Sequence, residues 1–263
     1  MSELDWLGAY PNFTKQWEIP DCNFCGSHAA QHKQIFYNVQ NTYHHLVECQ
    51  VCKLRFYSPR INLASILEQG YGTYEPARLE AENHIKEREL CYIEDYYNGI
   101  LDRVLSYKKV DSAYEVGGAI GKFSSLLKAK DATILDGCDI NKWSVKVAQE
   151  KYGLTTWTHT NFYDLKDFKI DYYDLGIMLD YIEHSFYPFD DLKKLGLMVK
   201  SGGLLLLKTF LEEWDVNRSM EAVPGHNYHF YGDVLKNMII KSGFSILHEK
   251  KEAEQIQIIA QRV

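Results

Sequence analysis

The stretch Ala113–Gly121, A-Y-E-V-G-G-A-I-G, narrows the possible folds more than any other part of the chain. A short apolar segment runs into Glu115, three glycines (Gly117, Gly118, Gly121) crowd the next six positions, and Lys122 to Lys130 carries a helical pattern. The order is strand, tight turn, helix. Glycine lets the chain turn with positive φ and lets a ligand approach the backbone and the first helical N–H groups. Ala132 to Asp136 reads as a second strand ending near Asp139, 22 residues past Gly117. An acid at that strand tip is placed to accept both hydroxyls of a ribose, so a nucleoside-binding α/β unit is expected. Close helix–sheet packing alone would also call for the glycines, and that explanation competes with the first.

With 263 residues the chain can fill one substantial core and carry a small appended module. No run approaches the ~20 apolar residues of a membrane-spanning helix. The amino terminus, M-S-E-L-D-W-L, lacks a basic segment followed by an apolar one, so no secretory leader and a cytoplasmic location are expected. The formal net charge of −7, from 29 basic and 36 acidic residues, argues against a nucleic-acid partner, since phosphate recognition needs concentrated positive charge. Neither a membrane nor a nucleic acid is therefore expected as a partner, and oligomeric state is not readable.

Four of the six cysteines form two C-x-x-C pairs, Cys22/Cys25 and Cys49/Cys52, separated by 23 residues of strand-like text. Each pair offers two sulfurs at a turn, and together they supply the four thiolates of a tetrahedral zinc site. Four thiolates leave no position open for substrate, so the expected zinc is structural. Residues 1–75 are accordingly expected to form an amino-terminal arm and zinc-binding module, and residues 76–263 the main domain.

Beyond the module, Ala77 to Val110 carries a long helical stripe, and Asn141 to Lys151 a second helix with Asn141 as cap. Strands are expected at Leu154–Trp157, Tyr173–Leu179 and, as the central strand, Leu204–Lys208. Helices follow at Phe189–Val199 and Tyr231–Ser242, with closing strands at Phe244–His248 and Gln255–Ala260 and an insertion over Phe210–Asn227. Repeated β-α units with a closing strand pair imply a Rossmann-like, mostly parallel α/β sheet with an antiparallel carboxyl-terminal edge. Ligands of such sheets lie outside the strands' carboxyl ends, which puts Glu115, Asp139, Asn161 and Asp180 to His184 on one rim. Asp180 is there close enough to meet a cofactor's amino group.

The chain resembles a class I S-adenosylmethionine-dependent methyltransferase, and more narrowly the group with an amino-terminal cysteine-rich zinc module that includes C-methyltransferases of nucleotide-linked deoxy sugars. The resemblance is carried by C-N-F-C and C-Q-V-C, E-V-G-G-A-I-G, the acid of D-G-C-D, D-Y-I-E-H, K-S-G-G and N-Y-H-F-Y-G. It implies that the turn with Glu115, Gly117, Gly118, Ala119 and Gly121 holds the methionyl part of S-adenosylmethionine, that Asp139 binds its ribose, and that Asn161 and Phe162 sit beside its adenine. Tyr71 and Tyr74 match an arm that closes over the cofactor. Glu183 and His184 match a base near the substrate, and His229 a histidine near the mouth of the site. Ala119 departs from the family, which has glycine there; an alanine is tolerated if its φ is negative.

Methyl transfer from a sulfonium is an in-line displacement that needs the acceptor ~3–3.5 Å from the methyl and a group to take the acceptor's proton. Imidazole suits that proton step near neutral pH, and a carbon acceptor beside a ketone would need its enolate oxygen held as well. The expected function is thus base-assisted methyl transfer to a small molecule, at carbon. Two alternatives remain: non-methylating use of S-adenosylmethionine, such as intramolecular cyclisation, and a catalytically inactive zinc-module interaction protein. A nicotinamide-dependent enzyme fits D-Y-I-E-H and the sheet edge less well.

Overall fold

The computed structural model describes residues 17–37, 43–65, 87–211 and 226–263. Helix α1 (Glu87–Tyr107) lies within the expected Ala77–Val110 stripe, whose first ten residues fall outside the described ones. It buries Ile100, Leu101 and Val104 and leads into β6 (Ser112–Val116). Then come α2 (Lys122–Lys128), β7 (Ile134–Asp139), α3 (Lys142–Tyr152), β8 (Thr158–His159), β9 (Tyr173–Leu179) and α4 (Pro188–Met198). The chain closes with β10 (Val199–Phe210), β11 (Tyr228–His229), α5 (Gly232–Lys241), β12 (Phe244–Glu252) and β13 (Gln255–Arg262).

The main sheet has seven strands in the order β12-β13-β10-β9-β6-β7-β8, and β9 is its middle strand rather than β10. The five strands from β10 to β8 run parallel, and β13 runs antiparallel to both β10 and β12, as the sequence pattern implies. Every residue of β6 is buried, as expected of a strand covered on both faces. Asn141 caps α3 by accepting the Ser144 N–H at 3.1 Å.

The expected strand at Leu154–Trp157 is instead a turn, with β8 starting one residue later. Gly153, at φ 64, ends α3 in the left-handed conformation, and the Trp157 N–H bonds back to the Leu154 carbonyl at 3.1 Å. The apolar pattern is real, because Leu154 and Trp157 are both 2% exposed, but those side chains fill space under the glycine turn rather than line a strand.

Residues 17–37 and 43–61 form a small β module. β1 (Trp17–Glu18) pairs with β5 (Arg60–Ile61), while β2 (Ala30–Tyr37), β3 (Tyr43–Cys49) and β4 (Arg55–Tyr57) form an antiparallel sheet. The fourth strand of that sheet is β11, contributed from far along the chain, with Tyr228 opposite Phe56 and His229 opposite Arg55. Arg60, 3% exposed, reaches across to donate to the Phe186 carbonyl at 3.0 Å and lies over the Phe186 and Tyr228 rings. Asn23 does the same at α4, accepting the Phe189 N–H at 2.7 Å and donating to Asp190 at 2.9 Å. Phe56 and Leu54 of the module share one apolar cluster with Ile182, Leu192 and Tyr228. The core is therefore continuous across the expected boundary at residue 75.

Candidate active site

The parallel register aligns the carboxyl ends of three strands. Val116 pairs with both Met178 and Cys138, so Gly117, Leu179 and Asp139 leave the sheet side by side. The turn needs its glycines for two separate reasons. Gly117 and Gly121 have φ of 63 and 75, which disfavours any side chain. A Cβ at Gly118 would come within 2.3 Å of the Trp157 ring, and one at Gly117 within 2.4 Å of Tyr181. Packing against Trp157 and Tyr181 is thus sufficient to require these glycines, whatever else the turn holds.

Ala119 has φ 49. The condition of a negative φ is not met: Ala119 holds the left-handed turn conformation that glycine would adopt without strain. What keeps it there is Asp139, whose Oδ2 accepts the Ala119 N–H at 2.9 Å while Oδ1 accepts the Asn141 N–H at 2.7 Å. The half-buried Asp139 is the acid at the strand tip that the spacing predicts.

Three other expected cofactor contacts are held by neighbours within the fold. Glu115 points inward, 3% exposed, and its Oε2 accepts both the Ser124 hydroxyl at 2.5 Å and the Ser124 N–H at 3.2 Å. It ties the turn to α2 from below, and burial pushes its carboxyl up to about 7. Phe162, 1% exposed, packs beside Tyr114. Asp180 is gripped by Lys208, whose Nζ donates to its two carboxylate oxygens at 2.8 and 2.7 Å. Asn161 is half-buried and accepts the Tyr163 N–H at 3.1 Å. Tyr71 and Tyr74 lie outside the described residues.

Just past β9, Glu183 and His184 meet His226. The three offer ligand-type atoms that all lie within 4.8 Å of one another, and the His184 and His226 rings meet edge to face at 4.7 Å. The chain returning at 226–228 is stitched there: Asn227 N–H and Tyr228 N–H both donate to the Glu183 carbonyl (2.7 and 3.1 Å), and the Asn227 side chain donates to the His184 carbonyl (2.9 Å). Thr209 fixes the Glu183 carboxylate by donating to Oε2 at 2.8 Å. Burial pushes the Glu183 carboxyl up to about 7 and, with His184 and His229 nearby, pulls His226 down to about 3. His229 itself, 4% exposed, packs edge to face on Tyr57 at 4.8 Å and is not in the group. His226 lies three residues earlier, just ahead of β11, and is the residue the sequence pattern did not single out; its only signal was a third histidine at the end of an unpatterned insertion.

At the module's tip the Sγ atoms of Cys22, Cys25, Cys49 and Cys52 all lie within 4.8 Å of one another, with Cys22–Cys52 at 3.3 Å and Cys25–Cys49 at 3.5 Å. Tetrahedral thiolates at ~2.3 Å from an ion stand about 3.8 Å apart, so the cage fits a metal. Gly26 and Lys53, the residues following each pair, take φ 70 and 66 and close matching turns onto Cys22 and Cys49. The hydrogen bond with Cys22 lowers the Cys52 thiol toward its thiolate form.

The profile of the family described as "Methyltransferase domain" matches residues 88–249, more than half of the chain. The chain belongs to the methyltransferase-domain family. Among solved structures, this methyltransferase resembles the N-methyltransferase NodS from Bradyrhizobium japonicum WM9 in complex with S-adenosyl-L-homocysteine (15% identity, TM-score 0.54, 74% of this chain and 96% of that one). It also resembles a SAM-dependent methyltransferase from Thermotoga maritima (20% identity, TM-score 0.52, 69% and 98%) and the [4+2]-cyclase SpnF (12% identity, TM-score 0.55, 64% and 81%). At these identities the likeness shows the fold. No curated protein sequence matches the chain. No helix among the methyltransferase's described residues is long and apolar enough to cross a membrane. A separate open groove of about 700 Å³ runs between α3 and the β8 edge, lined by Trp143, Lys146, Gln149 and His159 among others; it touches neither the glycine turn nor Glu183.

Proposed function

We propose that the protein transfers a methyl group from S-adenosylmethionine to a small-molecule acceptor, at carbon, with the acceptor activated by Glu183, His184 and His226. The observation that carries this reading is the convergence of those three side chains past the carboxyl end of β9, two strands from Asp139 and on the same rim as the glycine turn. Family membership supports the donor. The residues present fit it: a half-buried carboxylate stands at the tip of β7, where a ribose diol would be read, beside the left-handed turn of Gly117 to Gly121. When bound, the sulfonium supplies an electrophilic methyl whose leaving group already carries positive charge.

The chain's own residues supply position and proton control. Asp139 accepts the ribose hydroxyls while the backbone of Gly117, Gly118, Ala119 and Gly121 lets the methionyl part lie close. Glu115 and Phe162 act from beneath, as supports. Asn161 borders the adenine side and Asp180 the amino side, with Lys208 setting the Asp180 carboxylate's direction. Tyr71 and Tyr74 cover the cofactor from the amino-terminal arm. Glu183 and His184 face the acceptor and promote loss of its proton, while His229 stands behind His226 as a packing residue.

The four-cysteine cage holds zinc in this reading, with a structural role. Residues 1–75 and 76–263 then act as a metal-held module and a catalytic part sharing one core. Product analysis tests the proposal. Incubation with S-adenosylmethionine and a panel of ketone-bearing and hydroxylated small molecules should release S-adenosylhomocysteine with a methylated acceptor. Release of methylthioadenosine instead would replace transfer with chemistry inside the cofactor, and absence of S-adenosylmethionine binding would leave only the interaction-protein alternative.

A further inference from the structure

We infer that Glu183, His184 and His226 form a second metal site, distinct from the cysteine cage, which takes a first-row divalent transition-metal ion through two imidazoles and one carboxylate. The inference deepens the proposed function: it rests on the cluster facing the acceptor and says how the acceptor is activated.

Three observations support it. First, the donors are of the right type and close. Their ligand atoms lie within 4.8 Å of one another, and a tetrahedral ion with bonds of ~2.0–2.1 Å needs neighbours about 3.3 Å apart, which side-chain rotation can close. Second, the carboxylate has a bare oxygen. Glu183 is 1% exposed and its Oε1 is buried with no hydrogen-bond partner, although Oε2 is satisfied by Thr209. A buried carboxylate oxygen without a donor is costly, and a cation is the group that would satisfy it. His226 likewise makes ring contacts with His184 and Phe210 but, among the described residues, no hydrogen bond from its ring nitrogens.

Third, the surroundings hold the donors in place. Thr209 fixes the carboxylate, and the hydrogen bonds from Asn227 and Tyr228 fix residue 226 against residues 183 and 184 by their backbones. Metal ligands are characteristically oriented by such outer contacts. Two imidazoles and one carboxylate make the donor set that zinc and ferrous ions use when positions are left open for another ligand. Half-buried His184 marks the side from which that ligand would enter. The ligand is an acceptor oxygen, a hydroxyl or the carbonyl beside an acidic carbon. Coordination there makes the neighbouring proton easier to lose to solvent, so the acceptor attacks as its anion.

The test uses full-length protein whose cysteine cage is loaded with one equivalent of zinc, to which cobalt(II) is added. The expected result is saturation at one further equivalent, with weak visible d–d bands and without the intense near-ultraviolet charge transfer of thiolate ligation. Glu183→Gln, which keeps the Thr209 hydrogen bond, and His226→Ala should each weaken cobalt binding by tenfold or more while S-adenosylmethionine binding and the thermal transition persist. Cobalt binding that is absent, or unchanged in both folded variants, overturns the inference. Full methyl transfer by protein holding one zinc and no second metal would also overturn it, yet leave the methyltransferase reading intact. Cobalt binding lost in the variants, in a protein that makes no methylated product, would uphold the site and sink the reading.

Discussion

Asp139 accepts the Ala119 N–H at 2.9 Å, a bond that closes the glycine turn onto the tip of β7. It also holds an alanine at φ 49, where an L side chain is strained by ~1–2 kcal/mol. Ala119→Gly should therefore relieve strain but lose ~0.5–1 kcal/mol to the flexibility of glycine in the unfolded chain, leaving stability unchanged or raised by about 1 kcal/mol. Ala119→Val, branched at Cβ, should lower it by about 2 kcal/mol. Urea unfolding of the pair checks both signs, and equal loss in the two variants would contradict the turn geometry.

Asp139 itself should matter more for the ligand than for the fold. Asp139→Asn keeps an acceptor for only one of the Ala119 and Asn141 N–H groups and loses the charge that favours paired hydroxyls. S-adenosylmethionine affinity by calorimetry, measured well below the lowered unfolding midpoint, should fall tenfold or more, about 1.4 kcal/mol or above. An unaltered affinity would remove Asp139 from the cofactor site.

Acidity offers a third check. Glu115, fully buried, is held at about 7 against 4.5 for the free side chain, chiefly by burial. Between those values the folded protein keeps a proton that the unfolded chain releases, so this group's contribution is complete below about 4.5 and is lost as pH rises through about 7. Asp191, held at about 6 by burial, adds the same sign. Glu115→Gln should flatten the decline in stability between pH 5 and pH 8 by up to about 3 kcal/mol. Parallel wild-type and variant curves over that range would contradict the burial of a lone carboxylate.

Removing metal from the cysteine cage should reach the site. Asn23, between Cys22 and Cys25, bonds to the first turn of α4, and β4 pairs with β11 two residues beyond His226. Stripping the cage with a chelator should lower Tm by roughly 10 °C, given about 2–4 °C per kcal/mol at this chain length. Activity should fall at temperatures below the new transition, and zinc alone should restore it. Full activity in a cage-free protein would mean the module does not hold the site.

The order of elements was legible because the features that encode it are local. Tyr173–Leu179 is apolar throughout, Asn141 is a cap, and the C-x-x-C pairs carry their own turn residues. Asp139 was legible because spacing to a glycine turn is also a local property. Trp157 misled because its burial comes from a contact with Gly118 and Gly137, on separate elements. The burial of Phe162 was not legible for the same reason: an aromatic residue after a strand does not reveal which way its ring faces. His226 was invisible because nothing in the insertion's pattern reveals the two backbone hydrogen bonds and the Asn227 side-chain bond that bring it to Glu183 and His184.

The pairing of β11 with β4 bears on any attempt to work with the catalytic part alone. A chain begun at residue 76 would leave the backbone of Tyr228 and His229 as an uncovered strand margin, open to pairing with its neighbours in solution. It would also bare the Tyr228 ring beside which Phe56 now packs, and take Phe56 and Leu54 out of the apolar cluster they share with Ile182. Such a truncation would precipitate before its catalysis could be assayed, and its silence would say nothing about which half of the molecule does the chemistry.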